Sequence, residues 1–177
     1  MDLQSKVKRI VRDVKDFPKP GILFKDITPL LANPLLVKEI TQEIASHFSG
    51  QRIDAVAAVE ARGFIFGAIL AQELGCGFVP MRKAGKLPFK TVSQEYALEY
   101  GTAAVEVHED AIQPGWNVLI HDDLLATGGT AGAAGNLIRK LGGNLVGFSF
   151  LINLSFLPGE SRLVEAFGVR PSYIVSY

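Results

Sequence analysis

Apolar positions along the chain follow two rhythms, one of helical spacing and one of short unbroken runs. Leu3, Val7, Ile10, Val11 and Val14 recur at helical spacing and predict an amphipathic N-terminal helix of about four turns. Phe17-Pro18-Lys19-Pro20-Gly21 stops it, because two prolines and a glycine in five residues force an extended arm or a turn. Asn33 and Pro34 read as the cap and first residue of a second helix, with Leu36, Ile40, Ile44 and Phe48 spaced by four along one face. Asp54 to Val59 is different: small apolar residues without alternation, as in a strand buried on both faces of a parallel sheet. A helical pattern runs from Phe64 to Leu74. Gly77 to Met81 and Asn117 to Ile120 read as strands, Thr130 to Leu141 as a helix, and Leu145 to Leu151 as a further strand. Strands alternating with helices at this spacing predict an α/β domain built from right-handed crossovers.

The stretch from Lys83 to Glu99 fits neither rhythm. It carries Gly85, Pro88, Thr91, Ser93 and three lysines, which suits a lid or binding loop. A hairpin with a wide turn accounts for the same residues, and the two readings are compatible. No repeat, low-complexity tract or linker divides the chain, so residues 1–177 are expected to form one domain.

At 177 residues, 48% hydrophobic and 20% charged, the composition excludes disorder. A single cysteine, Cys76, excludes a disulfide framework. Eighteen basic residues balance eighteen acidic ones, leaving no overall positive field to hold nucleic acid or an anionic membrane. Asp2, Lys6, Lys8, Arg9 and Arg12 interrupt the first residues where a signal peptide needs an apolar stretch, and no stretch approaches the roughly 18 apolar residues of a membrane span. A soluble, cytoplasmic protein is expected.

Candidate chemistry concentrates where the glycines do: eight of the eighteen lie between Gly115 and Gly147. The strand Asn117 to Ile120 leads into His121-Asp122-Asp123-Leu124-Leu125-Ala126-Thr127-Gly128-Gly129-Thr130, and a helix follows. A glycine-rich turn between strand and helix lets backbone N–H groups close on a phosphate, and the helix dipole adds about half a positive charge. Thr127 and Thr130 add hydroxyl donors. Without a lysine this is not a P-loop, and adjacent glycines preceded by two carboxylates are not a dinucleotide fingerprint. Asp122 and Asp123 can accept hydrogen bonds from the two neighbouring hydroxyls of a ribose. Together the two features describe a site for a ribose 5-phosphate.

This arrangement resembles the signature by which type I phosphoribosyltransferases bind 5-phosphoribosyl 1-pyrophosphate (PRPP), and its wording is similar to that of the adenine-using members. Phe24-Lys25-Asp26-Ile27-Thr28-Pro29 looks like that family's N-terminal hood, within residues 1–33. Glu60-Ala61-Arg62-Gly63-Phe64 looks like its pyrophosphate loop. Arg82-Lys83-Ala84-Gly85-Lys86-Leu87-Pro88 and Leu98-Glu99-Tyr100-Gly101 look like the ends of its flexible catalytic loop, residues 83–98. The resemblance implies a central, mostly parallel sheet flanked by helices, and the reaction of adenine with PRPP to give AMP and pyrophosphate. It implies Mg²⁺ held mainly by substrate oxygens, with no metal-ligand motif of the protein's own. It further implies a homodimer in which the Lys83 loop reaches the neighbouring subunit's site.

The same resemblance distributes the roles. Ala126, Thr127, Gly128, Gly129 and Thr130 would take the 5-phosphate, and Asp122 and Asp123 the ribose. Arg62, Lys83 and the Glu60-Ala61 loop, with a cis peptide between those two residues, would meet the pyrophosphate. Phe24 would stack on the purine, Leu23 would offer it backbone donor and acceptor, and Lys25 and Leu157 would border it. Glu99 would move the purine proton and Tyr100 would cover the site. Three departures stand out: Lys25 where the family commonly has arginine, Asn153 where an acidic residue is usual, and His121 where an aliphatic is usual. His121 reads as a hydrogen-bonded core residue. The other two keep open a transferase for hypoxanthine, guanine or xanthine, and a non-catalytic PRPP-binding regulator is the remaining alternative.

Overall fold

The first fifteen residues do not make one helix. In the structure, a computed structural model describing residues 1–97 and 101–177, helix α1 (Leu3–Ile10) is capped by Asp2, whose side chain accepts from the Ser5 N–H. Strand β1 (Arg12–Lys15) then pairs antiparallel with β2 (Leu23–Asp26), setting Val14 opposite Phe24. The expected four-turn helix is therefore corrected. Residues 12–15 satisfy their backbone groups across β2, and Lys25 Nζ reaches Asp13 at 2.6 Å, so tertiary pairing overrides a helical spacing. Short α2 (Thr28–Leu31) follows, then α3 (Pro34–Ser46), whose Asn33 cap accepts from Leu36 N–H and whose Leu36, Ile40 and Ile44 are buried.

The main sheet contains β3 (Ala55–Val59), β4 (Gly77–Lys83), β5 (Thr91–Ala97), β6 (Thr102–His108), β7 (Asn117–Leu125), β8 (Asn144–Asn153) and β9 (Ser172–Ser176), in the spatial order β5-β6-β4-β3-β7-β8-β9. The five strands from β4 to β9 in that order run parallel, while β6 is antiparallel to both β4 and β5. Helices α4 (Gly63–Leu74), α5 (Gly129–Lys140) and α6 (Gly159–Phe167) complete the fold.

Alternate residues of the central strands feed two cores. Val56 and Leu119 join Val7, Ile40, Phe66 and Leu70 on one face of the sheet. Ala57 and Ile120 join Leu137, Ile138, Phe148 and Leu163 on the other. All five residues of β3 are buried, as its unbroken apolar run requires.

Two predicted boundaries move. Strand β7 continues through Leu125, so Asp122 and Asp123 belong to the strand itself. Residues 83–97 comprise the end of β4, a turn and β5, which pairs with β6 from Thr91 opposite His108 to Ala97 opposite Thr102. Leu98, Glu99 and Tyr100 lie outside the described residues. No helix among the described residues is long and apolar enough to cross a membrane.

Helix α4 lies against β3 so closely that a Cβ on Gly67 would stand 2.5 Å from Ala58 Cβ. Gly67→Ala should accordingly lower the unfolding free energy by about 1–3 kcal/mol, read as a lower urea midpoint.

Candidate active site

Strand order creates the crevice. From the adjacent strands β3 and β7 the chain departs in opposite directions, through α4 to β4 and through α5 to β8. Loops leaving the carboxyl ends of β3 and β7 therefore diverge and leave a space between them, the usual place for a ligand in an open α/β sheet. Glu60, Ala61 and Arg62 follow β3, and Asp122 through Thr130 run from the end of β7 into α5.

The space is a cavity of about 360 Å³, with Glu60, Arg62, Lys83, Asp122, Asp123 and Thr130 among its lining. A smaller cup of about 80 Å³ adjoins it and is walled by residues 126–130. Gly128 has φ +80°, and a Cβ there would also come within 3.1 Å of the Gly159 carbonyl oxygen, so glycine alone gives this turn. Helix α5 begins at Gly129 with no side-chain cap, so its first N–H groups face the cup.

Asp123 is buried and Asp122 partly so. Asp122 Oδ1 accepts from the Asp123 N–H at 2.8 Å. A Cβ on Gly63 would come within 2.8 Å of that same oxygen, so the start of α4 closes directly over it. Arg62 Nε stands 2.9 Å from Asp123 Oδ2. The approach is off the line of a hydrogen bond, however, so the contact is an ion pair and Oδ2 has no hydrogen-bond donor among the described residues. Burial, together with the charge of Asp123, pushes the Asp122 carboxyl well above the ordinary aspartate range. Burial also raises Asp123, against the opposing pull of Arg62.

Arg62 reaches three ways. Besides Asp123, it donates to the Lys25 carbonyl at 3.3 Å and lies over the Phe24 ring, 4.6 Å from its centre. It does not pair with Glu60. That carboxylate accepts from Arg82 Nε at 2.8 Å and from the Lys83 N–H at 2.7 Å. Burial acts to raise it, but those hydrogen bonds prevail and hold it below its ordinary value. The Glu60–Ala61 peptide is cis.

Other predicted residues sit further out. Leu23 is 47% exposed beside Phe24. Lys25 turns its side chain away from the cavity, with Nζ on Asp13 and 3.7 Å from the centre of the Tyr177 ring. Leu157 lines a separate open groove along α6. Glu99 and Tyr100 fall outside the described residues. Asn153 is buried and donates to Glu160 at 3.3 Å. His121 is buried with Nδ1 2.8 Å from Ser149 Oγ, and burial pushes it down to about 3, so it is neutral at physiological pH. Sequence reasoning missed Tyr96, which lines the cavity and whose ring would lie 3.2 Å from a Cβ on Gly129. The alternation of Val92, Gln94 and Tyr96 in β5 was the available signal.

Residues 26–163 match the phosphoribosyl transferase domain model, more than three quarters of the chain. The chain belongs to the phosphoribosyltransferase family. Within it, the chain is 54% identical over 164 residues to an adenine phosphoribosyltransferase of Thermobifida fusca, covering 93% of each chain. The fold superposes on an adenine phosphoribosyltransferase of Thermoanaerobacter pseudethanolicus with TM-score 0.94 and 46% identity, over 99% of this chain and 100% of that one. A Saccharomyces cerevisiae adenine phosphoribosyltransferase, solved with D-2,5-dideoxy-2,5-imino-altritol 1,6-bisphosphate and adenine, matches with TM-score 0.90 and 37% identity, over 98% of each chain.

A carboxyl whose folded-state pKa is raised holds its proton more tightly when folded, so its ionisation destabilises the fold as pH rises above the ordinary aspartate value. Asp122→Asn should therefore raise the urea midpoint at pH 7, and the gain should shrink as pH falls toward the ordinary aspartate value and vanish below it. If Asp122 accepts a ribose hydroxyl, as the resemblance implies, the same variant should weaken PRPP binding by about tenfold, measured by calorimetry, because an amide is the poorer acceptor.

Proposed function

We propose that this phosphoribosyltransferase uses adenine, converting adenine and PRPP to AMP and pyrophosphate in purine salvage. The observation that carries the reading is the carboxylate pair beside the cup, with Asp123 Oδ2 buried, ion-paired to Arg62 and without a hydrogen-bond donor among the described residues. A buried acceptor of this kind is stabilised by a hydroxyl that donates to it. Ribose hydroxyls on Asp122 and Asp123, with the 5-phosphate in the cup of Ala126, Thr127, Gly128, Gly129 and Thr130, use both features at once. The relatives named above are adenine phosphoribosyltransferases, and that directs the reading to adenine.

In the reaction the bond from the anomeric carbon to pyrophosphate oxygen breaks, and a bond to purine N9 forms on the opposite face. Positive charge develops on the sugar and negative charge on the leaving group, so fixed cations near the latter act more on the transition state than on the ground state. Arg62 and Lys83 line the cavity at that end and supply them, with Glu60 and Ala61 shaping the loop. Asp122 and Asp123 are the hard oxygen donors facing the same space, so they would help hold a Mg²⁺ that arrived with PRPP, and such an ion would offset negative charge on the leaving group. Glu99 takes the N9 proton, and Tyr100 covers the site as residues 83–98 close over PRPP.

Phe24 and Leu23 in the hood hold the base, while Leu157, on the separate groove along α6, has no part in holding it. Lys25 is engaged by Asp13 and Tyr177, and Asn153 by Glu160, so neither departure from the family pattern favours another purine. Residues 1–177 act as one domain in the cytoplasm. A second copy covers the apolar side of α4, where Ile65 and Ile69 are each 38% exposed, together with Phe78 of β4, 37% exposed, and it receives the Lys83 loop.

The test is kcat/KM for adenine, hypoxanthine and guanine with PRPP and Mg²⁺. A backbone pair that accepts from the adenine amino group and donates to N1 meets like against like in hypoxanthine, so adenine should lead by about two to four orders of magnitude. Equal use of hypoxanthine would replace the adenine reading with another purine.

A further inference from the structure

The cup is held from behind by a helix that does not line it. Arg162 on α6 donates from a guanidinium nitrogen to the Thr127 carbonyl at 3.2 Å. The first residue of the same helix is pressed onto the loop: a Cβ on Gly159 would stand 2.4 Å from the Ala126 carbonyl oxygen, and one on Gly128 would stand 3.1 Å from that of Gly159. Just upstream, the Leu154 N–H donates to the Leu125 carbonyl at 3.0 Å. Three consecutive residues of the turn, 126 to 128, therefore contact α6.

We propose that Arg162 is a positioning residue for the 5-phosphate of PRPP. This rests on the reading of residues 126–130 as the phosphate cup. In a planar trans peptide the C=O of one residue and the N–H of the next point in opposite directions. Holding the Thr127 carbonyl outward on Arg162 thus aims the Gly128 N–H the other way, on the side of the cup. Gly128 needs the restraint. At φ +80° and without a side chain, a glycine exchanges peptide orientations more freely than any other residue, and each orientation lost on binding weakens the complex. A charged donor on the carbonyl also polarises the peptide and strengthens its N–H as a donor. Arg162 itself is exposed, so its loss opens no cavity in the core.

Arg162→Ala and Arg162→Lys would be compared with the unaltered protein by calorimetry with PRPP and, separately, with pyrophosphate, and by steady-state kinetics. Arg162→Ala should raise both the Kd and the KM for PRPP about three- to tenfold, with kcat, the KM for adenine and pyrophosphate affinity unchanged. Arg162→Lys, which keeps a donor for the Thr127 carbonyl, should recover most of the PRPP affinity. Unchanged PRPP affinity in Arg162→Ala would overturn the assignment. So would an equal loss for PRPP and pyrophosphate, which marks a general charge effect. Failure of the unaltered protein to bind PRPP would instead remove the functional reading on which the assignment rests.

Discussion

Two adjacent carboxylates at the end of a central buried strand are the constraint around which the rest is arranged. Removing a carboxylate from water is costly unless a cation or hydrogen bonds replace the water. Asp122 is answered by a backbone N–H and by the absence of a side chain at Gly63, and Asp123 by Arg62. The compensation is incomplete. Both carboxyls remain raised above the ordinary range, and Asp123 Oδ2 has no donor among the described residues. A fold selected for stability alone has no use for such a pair on β7, whereas a site for a sugar diol needs it.

Arg62 ties three parts of the molecule to that pair. It follows β3, meets Asp123 on β7, and reaches the Lys25 carbonyl and the Phe24 ring on β2. Under the proposed roles, the pyrophosphate cation, the ribose acceptor and the base-stacking ring touch one another before substrate arrives. An anion entering the cavity competes with Asp123 for Arg62, so charge at one subsite is felt at the other two.

Elements whose signal is local were legible in the sequence. The Asn33-Pro34 start of α3, the unbroken apolar run of β3, and the strand, glycine turn and helix around residues 117–140 each follow from the residues that form them. Elements decided by distant partners were not. Residues 12–15 carry a helical spacing yet pair with β2, whereas the polar stretch that holds β5 had admitted a hairpin, and β5 and β6 form one. In the site, the order of carboxylates, glycines and threonines announced itself. Nothing local pairs Arg62 with Asp123 rather than with nearby Glu60, or sets Arg162 behind Thr127. Those contacts follow from strand order, which brings β3 beside β7 and seats α6 against the turn after β7.

The account stands on the claim that the carboxylate pair accepts both hydroxyls of a ribose whose 5-phosphate lies in the cup. The most direct measurement is a calorimetric comparison of ribose 5-phosphate with 2-deoxyribose 5-phosphate on the unaltered protein. Both sugars bring the same phosphate, and only one brings the second hydroxyl. Losing a charge-assisted hydrogen bond to a buried carboxylate is worth about 1.5–3 kcal/mol, so ribose 5-phosphate should bind at least about tenfold more tightly. Equal affinity for the two sugars would contradict the account.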